Sequence, residues 1–444
     1  MADTAREWVL KAGEELRFEV DFRRTVSVRL RAGHAEYFGA ELGPEATYEF
    51  SGENGAIFSW EGCTLAVAGE CASAYVAGET PMVAYINVHM ALQQQRRRQG
   101  AAPRVMVVGP ADCGKTSLAR LLLNYAARQG EAPLFVDLDP ASASVTVPGT
   151  LSATAITKTV DIECGFMGHA ASSSAGPPEA PLVWHFGHED PAANPRLFCA
   201  LVDRAAAAVD RRLAADARAG AAGIVVDTRG SSDAGRDPAV LHAIEALRIN
   251  VLAVVGNERM YSALETQLAG RGIAVLRLPR SGGAVDRSPA FRQLLNAKVV
   301  RQYFYGTPRD EAASFSTVVN FDDIAVLRVG EDAVAPSSTL PLGEARRPAA
   351  TTVVPVALDE SLVHSILAVT DAPRPASDDD DATAAEKMAV DAPADALVGI
   401  QAIGFVSVTR VEMDRRRLIV VSPVAGRLQK HVLLHGDTKW META

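Results

Sequence analysis

The stretch RVMVVGPADCGKTSLARLLLNYA constrains this chain more than any other. It contains G-x-x-x-x-G-K-[ST] as Gly109 through Thr116, with an apolar run ending at Val108 and a helical period opening near Lys115. In that setting the backbone N–H groups of the loop converge at a helix N-terminus, where partial positive charge already favours an anion. Lys115 adds a cation for the β- and γ-phosphates, and the Thr116 hydroxyl is placed to ligate Mg²⁺. The plain alternative is a glycine-containing strand-to-helix turn with a buried threonine; the strand and helix on either side favour phosphate binding. Cys113 lies inside the loop, where a helix N-terminus is expected to lower its thiol pKa and make it sensitive to alkylation. Nothing in the pattern makes it a nucleophile.

The surrounding residues follow the grammar that such a loop needs. From Pro103, the nearly continuous apolar runs RVMVV, PLFVDLD, PLVWHFG, GIVVDT, NVLAVV and IAVLRLP alternate with helical stretches. Strands buried on both faces and separated by helices predict a doubly wound parallel sheet. A magnesium site needs a carboxylate at the carboxyl end of a neighbouring strand. Asp137 and Asp139 end one such strand and Asp227 ends another; Asp139 is the favoured metal-side residue, with Asp227 second. PRSGGAVDRSPAFR carries Arg280, Arg287 and Arg292 beside glycines, and reads as a solvated loop or as a lid that closes over a phosphoryl group. His185, His188 and His242 lack metal-ligand spacing and read as core or surface histidines.

On either side the period changes to two. Leu16, Phe18, Val20 and Phe22 alternate with charged residues, and turns such as RAGH and SGENG follow at short intervals, predicting a small antiparallel sandwich. TPMVAYINVHMALQQQRRR reads as a connector helix with Met82, Ile86, Met90 and Gln93 on one face, running into Arg96–Arg98. Residues 307–444 return to short strands around one helix-like stretch, SLVHSILAV, and contain an Asp-, Ala- and Pro-rich segment at about 371–396 expected to be disordered. HAASSSAGPPEAP reads as a second linker. The predicted fold class is therefore α/β: a central phosphate-loop sheet flanked by an N-terminal β-sandwich and a C-terminal β-rich α+β domain. The expected division is residues 1–98 with the connector, 99–306, and 307–444.

Composition narrows the function classes. The chain has 444 residues, is 48% hydrophobic and carries a net charge of −10, so it can bury large cores and is no general binder of nucleic-acid backbones. Five scattered cysteines without a CxxC pair argue against a disulfide framework and a zinc ribbon, and for a reducing compartment. The amino-terminal residues lack the apolar run of a secretory signal, and no 18-residue apolar stretch occurs, so the expectation is a soluble intracellular protein without a membrane partner.

The order GEELRFEV, AEYFGAEL, TPMVAYINVHMAL, RVMVVGPADCGKTSLARLLLNYA, SVTVPGTLSAT, PLVWHFG, NERMYSAL, RSGGAVDRS and RQYFYG resembles the eukaryotic mRNA cleavage-and-polyadenylation factor subunit. Its family also includes the RNA 5′-hydroxyl kinases. The resemblance runs from about Glu15 to the C-terminal strands. It implies three domains, with ATP and Mg²⁺ held by Asp112, Cys113, Gly114, Lys115, Thr116 and Ser117, and the metal by Thr116 and Asp139. It implies further that Glu15 contacts the adenine, and that Asn54 falls where the family often has a second, lysine contact. The implied partners are the cleavage-factor scaffold subunit that contacts the RNA polymerase II C-terminal tail and other 3′-end processing subunits. Pre-mRNA is reached indirectly, and the implied location is the nucleus.

Three departures from the family pattern concern catalysis. Asp139 is followed by Pro140-Ala141-Ser142-Ala143, where active kinases have a Gly/Gln-containing stretch. Ser231, in TRGSS, stands at or near the place of a tryptophan that stacks on the substrate base. A third basic lid position is Asn296, although Arg287 and Arg292 match. The wording DLDP, VDT and SSSAGPP is closer to fungal-type members. The resemblance therefore implies an ATP-binding scaffold for cleavage and polyadenylation, with no catalytic residues expected. The alternative is an active polyribonucleotide 5′-hydroxyl kinase using Lys115, Asp139, Arg287 and Arg292, with Asp137 as base. A GTPase should show an NKxD-like guanine reader, which VVGNERM does not supply.

Overall fold

The computed structural model describes residues 5–98, 102–142, 144–167, 180–231, 233, 235–307, 310–311, 313–330, 351–373, 398–426, 428 and 431–442. The expected acidic disordered loop beyond Pro373 and the linker HAASSSAGPPEAP up to Glu179 lie outside these residues. Two compact units are present. One comprises residues 1–137, 154–180 and 209–295, and the other 138–153, 181–208 and 296–444.

The first unit begins with the β-sandwich that the period-two pattern predicts. One sheet runs Arg6–Leu10, Cys63–Ala68, Val26–Gly33, Thr47–Phe50; the other runs Ala40–Glu41, Glu36–Tyr37, Glu53–Phe58, Glu15–Val20, Ser73–Ala77. Leu16, Phe18 and Val20 enter a core shared with Tyr37, Phe50, Ile57 and Leu65, and the Phe18 and Phe50 ring centroids lie 5.0 Å apart. Burying such side chains is worth about 1.5–3 kcal/mol each, which is why the alternation dictates the pairing register. The other face of Glu15–Val20 is not simply solvated, because Glu15 and Arg17 are themselves buried.

Helix α1 (Met82–Arg97) follows. Its buried residues are Met82, Tyr85, Val88, His89, Leu92 and Gln93, while Met90 is exposed. The face expected from Met82, Ile86, Met90 and Gln93 keeps Met82 and Gln93 inside but not Met90, because polar His89 takes an inner position that an apolar-only count overlooks. Helix α2 (Lys115–Arg128) joins the sandwich to the central sheet. The Tyr125 hydroxyl and an Arg128 guanidinium nitrogen both donate to the buried Glu36 carboxylate, and Asn124 donates to the Phe38 carbonyl at 2.8 Å. Burial pushes the Glu36 carboxyl up, and those two donors partly offset the shift.

Within this unit the central strands lie in the order Leu134–Leu138, Ile224–Thr228, Arg104–Val108, Val251–Val255, Ala274–Leu278. Arg104–Val108 is parallel to both of its neighbours, and Val251–Val255 is parallel to Ala274–Leu278. PLVWHFG, in the second unit, supplies Leu182–His185, which pairs antiparallel rather than parallel with Thr150–Ala153.

The second unit is built on a seven-stranded sheet in the order Phe315–Asn320, Arg417–Ser422, Ala402–Glu412, Ser365–Pro373, His431–Lys439, Ile324–Val329, Val353–Pro355. Among its described residues from 313 onward there is no α-helix, and SLVHSILAV is not helical. After one 3₁₀ turn at Glu360–Leu362, His364 takes a φ of +69° and the chain enters Ser365–Pro373 as a strand. The β-branched Ile366, Val369 and Thr370 suit that conformation.

His89 generates a stability prediction. It packs 5.3 Å from the Tyr125 ring, and burial, with the charges of Arg96 and Arg128, lowers its pKa to about 4 from an ordinary 6.5. Between pH 6.5 and 4 the unfolded chain therefore binds more protons, so stability falls as pH falls through that window. Going from pH 7 to pH 5 is expected to cost about 1–2 kcal/mol at this site. His89→Leu should flatten that part of the profile, read as the urea midpoint against pH.

Candidate nucleotide-binding site

Parallel pairing brings the carboxyl ends of Ile224–Thr228, Arg104–Val108 and Val251–Val255 to one edge of the sheet, where open α/β sheets bind ligands. There the chain leaves Val108, turns through Gly109–Gly114 and enters α2. Asp112 and Gly114 adopt left-handed φ values of +54° and +92°, the alternation that folds a loop inward so that its N–H groups face one concavity.

The side chains around this loop are closely engaged. The buried Lys115 ammonium donates to the Pro110 carbonyl at 2.8 Å, so the cation lies folded against its own loop. The Thr116 hydroxyl donates to Asp227 Oδ2 at 2.5 Å. The carboxylate beside Thr116 is therefore Asp227. Asp139, favoured in the sequence, accepts instead from Ala141 N at 3.1 Å and the Ser142 hydroxyl at 3.3 Å within its own turn. The difference lies in strand order: Ile224–Thr228 adjoins the loop's strand, and Leu134–Leu138 is one strand further out. Asp137 is buried in that outer strand, and Ser117 is half-buried in the first turn of α2.

Cys113 is fully buried, and burial pushes its thiol up from the ordinary value despite the opposing charge of Lys115. The expected low-pKa, alkylation-sensitive thiol is thus corrected: desolvation outweighs the helix N-terminus.

The lid segment meets this loop through Asp112. Its Oδ2 accepts from the Arg287 backbone N–H at 2.9 Å and from Arg292 Nη2 at 2.6 Å. Arg280 turns away, donating to the Ala284 carbonyl and to Asp286. Asn296 donates to the Ala141 carbonyl at 3.2 Å. The TRGSS turn packs on the loop from the other side. A Cβ on Gly230 would fall 2.4 Å from Ala111 Cα, and Ser231 N donates to the Gly109 carbonyl at 3.1 Å. Only glycine permits that approach.

In the sandwich, Glu15 is held at both oxygens: Arg17 Nε donates to Oε1 at 2.5 Å and the Thr80 hydroxyl to Oε2 at 2.9 Å. Asn54 pairs opposite Glu19, four residues along the strand from Glu15, a separation of about 13 Å. Arg17 and Gly230 were not singled out from sequence. The only available signal was Arg17's place within LRFEV, where an alternating strand offers a charge that looks solvated.

This arrangement is matched by known proteins along its whole length. Residues 109–306 match the family described as mRNA cleavage and polyadenylation factor CLP1 P-loop. Residues 9–99 match the N-terminal beta-sandwich domain of polyadenylation factor, and 314–442 match pre-mRNA cleavage complex II protein Clp1. The polyribonucleotide 5′-hydroxyl-kinase Clp1 of Gallus gallus is 36% identical over 438 residues, covering 98% of this chain and 96% of that protein. The chain belongs to the Clp1 family. A Clp1 homologue from Nematostella vectensis is 36% identical over 449 residues, covering 99% of this chain and 98% of its own. The solved structure of a wild-type Clp1p–Pcf11p complex superposes with a TM-score of 0.84 at 25% identity, with both chains covered completely. The Clp1 P-loop is thus a nucleotide-binding fold by both sequence and shape.

The residues present fit a magnesium triphosphate. An inward loop at a helix N-terminus, a lysine at its mouth, and a hydroxyl paired with a strand-end carboxylate form the donor set such a ligand uses. In the native protein Cys113 is expected to resist iodoacetamide at pH 8 and to react only once the chain is unfolded. Peptide mass spectrometry of the labelled protein checks this.

Proposed function

We propose that this Clp1-family chain is an ATP-binding scaffold of nuclear pre-mRNA 3′-end cleavage and polyadenylation, which retains its nucleotide without transferring the phosphate. The observation that carries this reading is the turn TRGSS. Where a kinase needs an aromatic platform for the RNA's terminal base, this chain has a glycine and a serine packed directly on the phosphate loop. Loss of such a platform removes about 1–3 kcal/mol of stacking, roughly one to two orders of magnitude in substrate affinity. Asp139, bonded within its own turn, and Asn296 in place of a third lid base support the same reading. The DLDP and TRGSS wording supports a place among kinase-degenerate, fungal-type members.

In this reading the loop N–H groups, Lys115 and Ser117 bind the phosphates, and Arg287 and Arg292 cover them. Thr116 with Asp227 would hold Mg²⁺, which when bound neutralises charge on the phosphate oxygens. Asp139 is the alternative carboxylate for that role. Glu15 faces the adenine, with Asn54 further along the same sheet. A ligand bound by both the sandwich and the central sheet stabilises the folded form by RT ln(1 + [L]/Kd), about 2.7 kcal/mol at a hundredfold excess over Kd. The surface so fixed would receive a Pcf11-like cleavage-factor subunit, as in the Clp1p–Pcf11p complex, and through it the polymerase II tail and other 3′-end processing subunits.

A second reading, an active 5′-hydroxyl kinase, is favoured by the name of the Gallus gallus relative and by the intact Lys115, Thr116 and Asp227 constellation. Purified protein incubated with γ-labelled ATP, Mg²⁺ and a 5′-hydroxyl RNA, beside a known active kinase, decides between them. The scaffold reading expects ATP to co-purify and no label to move; robust transfer abolished by Lys115→Ala overturns it. Lys115→Ala combined with Thr116→Ala should also abolish the ATP-induced rise in melting temperature, expected at about 5 °C or more in the parent chain. Differential scanning calorimetry with and without ATP reads this directly.

A further inference from the structure

The segment between the last central strand and the lid arginines is held at two ends by residues of the same compact unit. At one end Asp112 takes Arg287 N–H and Arg292. At the other end the contact is Arg17, from the N-terminal sandwich. A Cβ on Gly282 would lie 2.8 Å from Arg17 Nη1, and one on Gly283 would lie 2.9 Å from Arg17 Cδ. The strap therefore rests directly along the arginine, with glycines where an added side chain would force the arginine or the strap to shift. Tyr85 fastens the start of the same segment, its hydroxyl donating to the Pro279 carbonyl at 2.9 Å.

Arg17 is buried, and its other donors are committed. Nε donates to Glu15 at 2.5 Å, Nη2 donates to the Glu79 carbonyl at 2.8 Å, and Thr80 completes the hold on Glu15. A carboxylate has about four lone-pair positions; Arg17 crowds Oε1 with both Nε and Nη2 and Thr80 takes one at Oε2, so one position on Oε2 remains for a further donor. An exocyclic amine on a purine can supply that donor. A carbonyl oxygen in the same place meets a second acceptor and is repelled.

We propose that Arg17 is a positioning residue that aims Glu15 at the nucleobase and seats the Gly282–Gly283 strap. One side chain then sets both the preference for a 6-amino purine and the resting place of the lid that carries Arg287 and Arg292. The guanidinium's rigid fork suits this double duty, because Nε and Nη2 point in fixed directions to a carboxylate and a carbonyl and so hold the group in place beneath the strap. The inference rests on the ATP-binding reading and deepens it. It gives the base end of the site a physical connection to the phosphate end through Arg17, the strap and Asp112.

The full chain tests this with titrations of ATP and GTP and with limited trypsin digestion, following cleavage after Arg280 and Arg287 by mass spectrometry. Arg17→Gln is expected to lower the ATP-to-GTP affinity ratio about tenfold and to speed strap cleavage in both the free and ATP-bound states. Glu15→Gln should lose the base preference yet keep the strap protected, and Arg17→Lys should recover part of the preference. Wild-type discrimination and wild-type cleavage in Arg17→Gln overturn the proposal. Should Arg17→Gln not fold, Gly283→Ala carries the test: its new methyl meets Arg17 Cδ, so the strap or the arginine must shift, and unchanged cleavage together with unchanged ATP-to-GTP discrimination overturns the proposal. If the parent chain binds no ATP, or binds it independently of Lys115, the nucleotide reading itself falls. If ATP binding depends on Lys115 while the Arg17 variants discriminate as the parent does, only this inference falls.

Discussion

The hydrogen bond from the Thr116 hydroxyl to Asp227 ties the first turn of α2 to the strand beside the one that launches the phosphate loop. A loop whose backbone must present its N–H groups inward cannot also supply its own rigidity, so its shape depends on what surrounds it. Here the floor is the parallel pairing of Arg104–Val108 with two neighbours, and one wall is the Gly230 turn seated on Ala111. Cys113 fills the space beneath, close enough that Gly109 could not carry a Cβ without meeting its sulfur at 2.8 Å. The loop's edge is therefore held by contacts within the protein itself, which is the condition for binding without large ordering losses.

Most of this framework was legible in the sequence because two periods leave strong marks. Period two at Leu16, Phe18 and Val20 can only serve a strand with one buried face, and the continuous apolar runs around the glycine loop can only serve strands covered on both sides. What was not legible depended on neighbours in space. Which of Asp139 and Asp227 stands beside Thr116 turned on which strand adjoins Arg104–Val108, and strand order is a property of crossovers rather than of local pattern. Met90 and SLVHSILAV were misread for related reasons. Buried polar residues such as His89 rotate the inner face of α1, and a short β-branched run fits helix and strand periods alike until a sheet claims it.

Arg17 shows the same limit most sharply. In an alternating strand the charged positions are read as solvent-facing, and that assumption fails wherever a loop from another part of the chain lies across the sheet. Two adjacent glycines more than 260 residues away are the complementary mark: they sit where the arginine leaves no room for a side chain. Neither feature is informative alone, since lone arginines and glycine pairs are common. Their meaning comes from the contact.

A site of this kind can keep its nucleotide and lose its chemistry for a reason rooted in how catalysis works. Rate depends on interactions stronger in the transition state than in the ground state, whereas retention depends on interactions made equally in both. The loop, Lys115, and a Thr116–Asp227 pair would serve both kinds, holding the phosphates in the ground state and meeting charge that develops on them. An aromatic platform that places an RNA end for in-line attack belongs to the first, through positioning. Gly230 and Ser231 in place of that platform would, on the scaffold reading, leave the phosphate contacts while removing what positions an RNA end for transfer. On the proposed reading, selection for a fixed surface then acts on the retained half alone: a nucleotide that is never consumed holds the sandwich against the central sheet for as long as it stays bound.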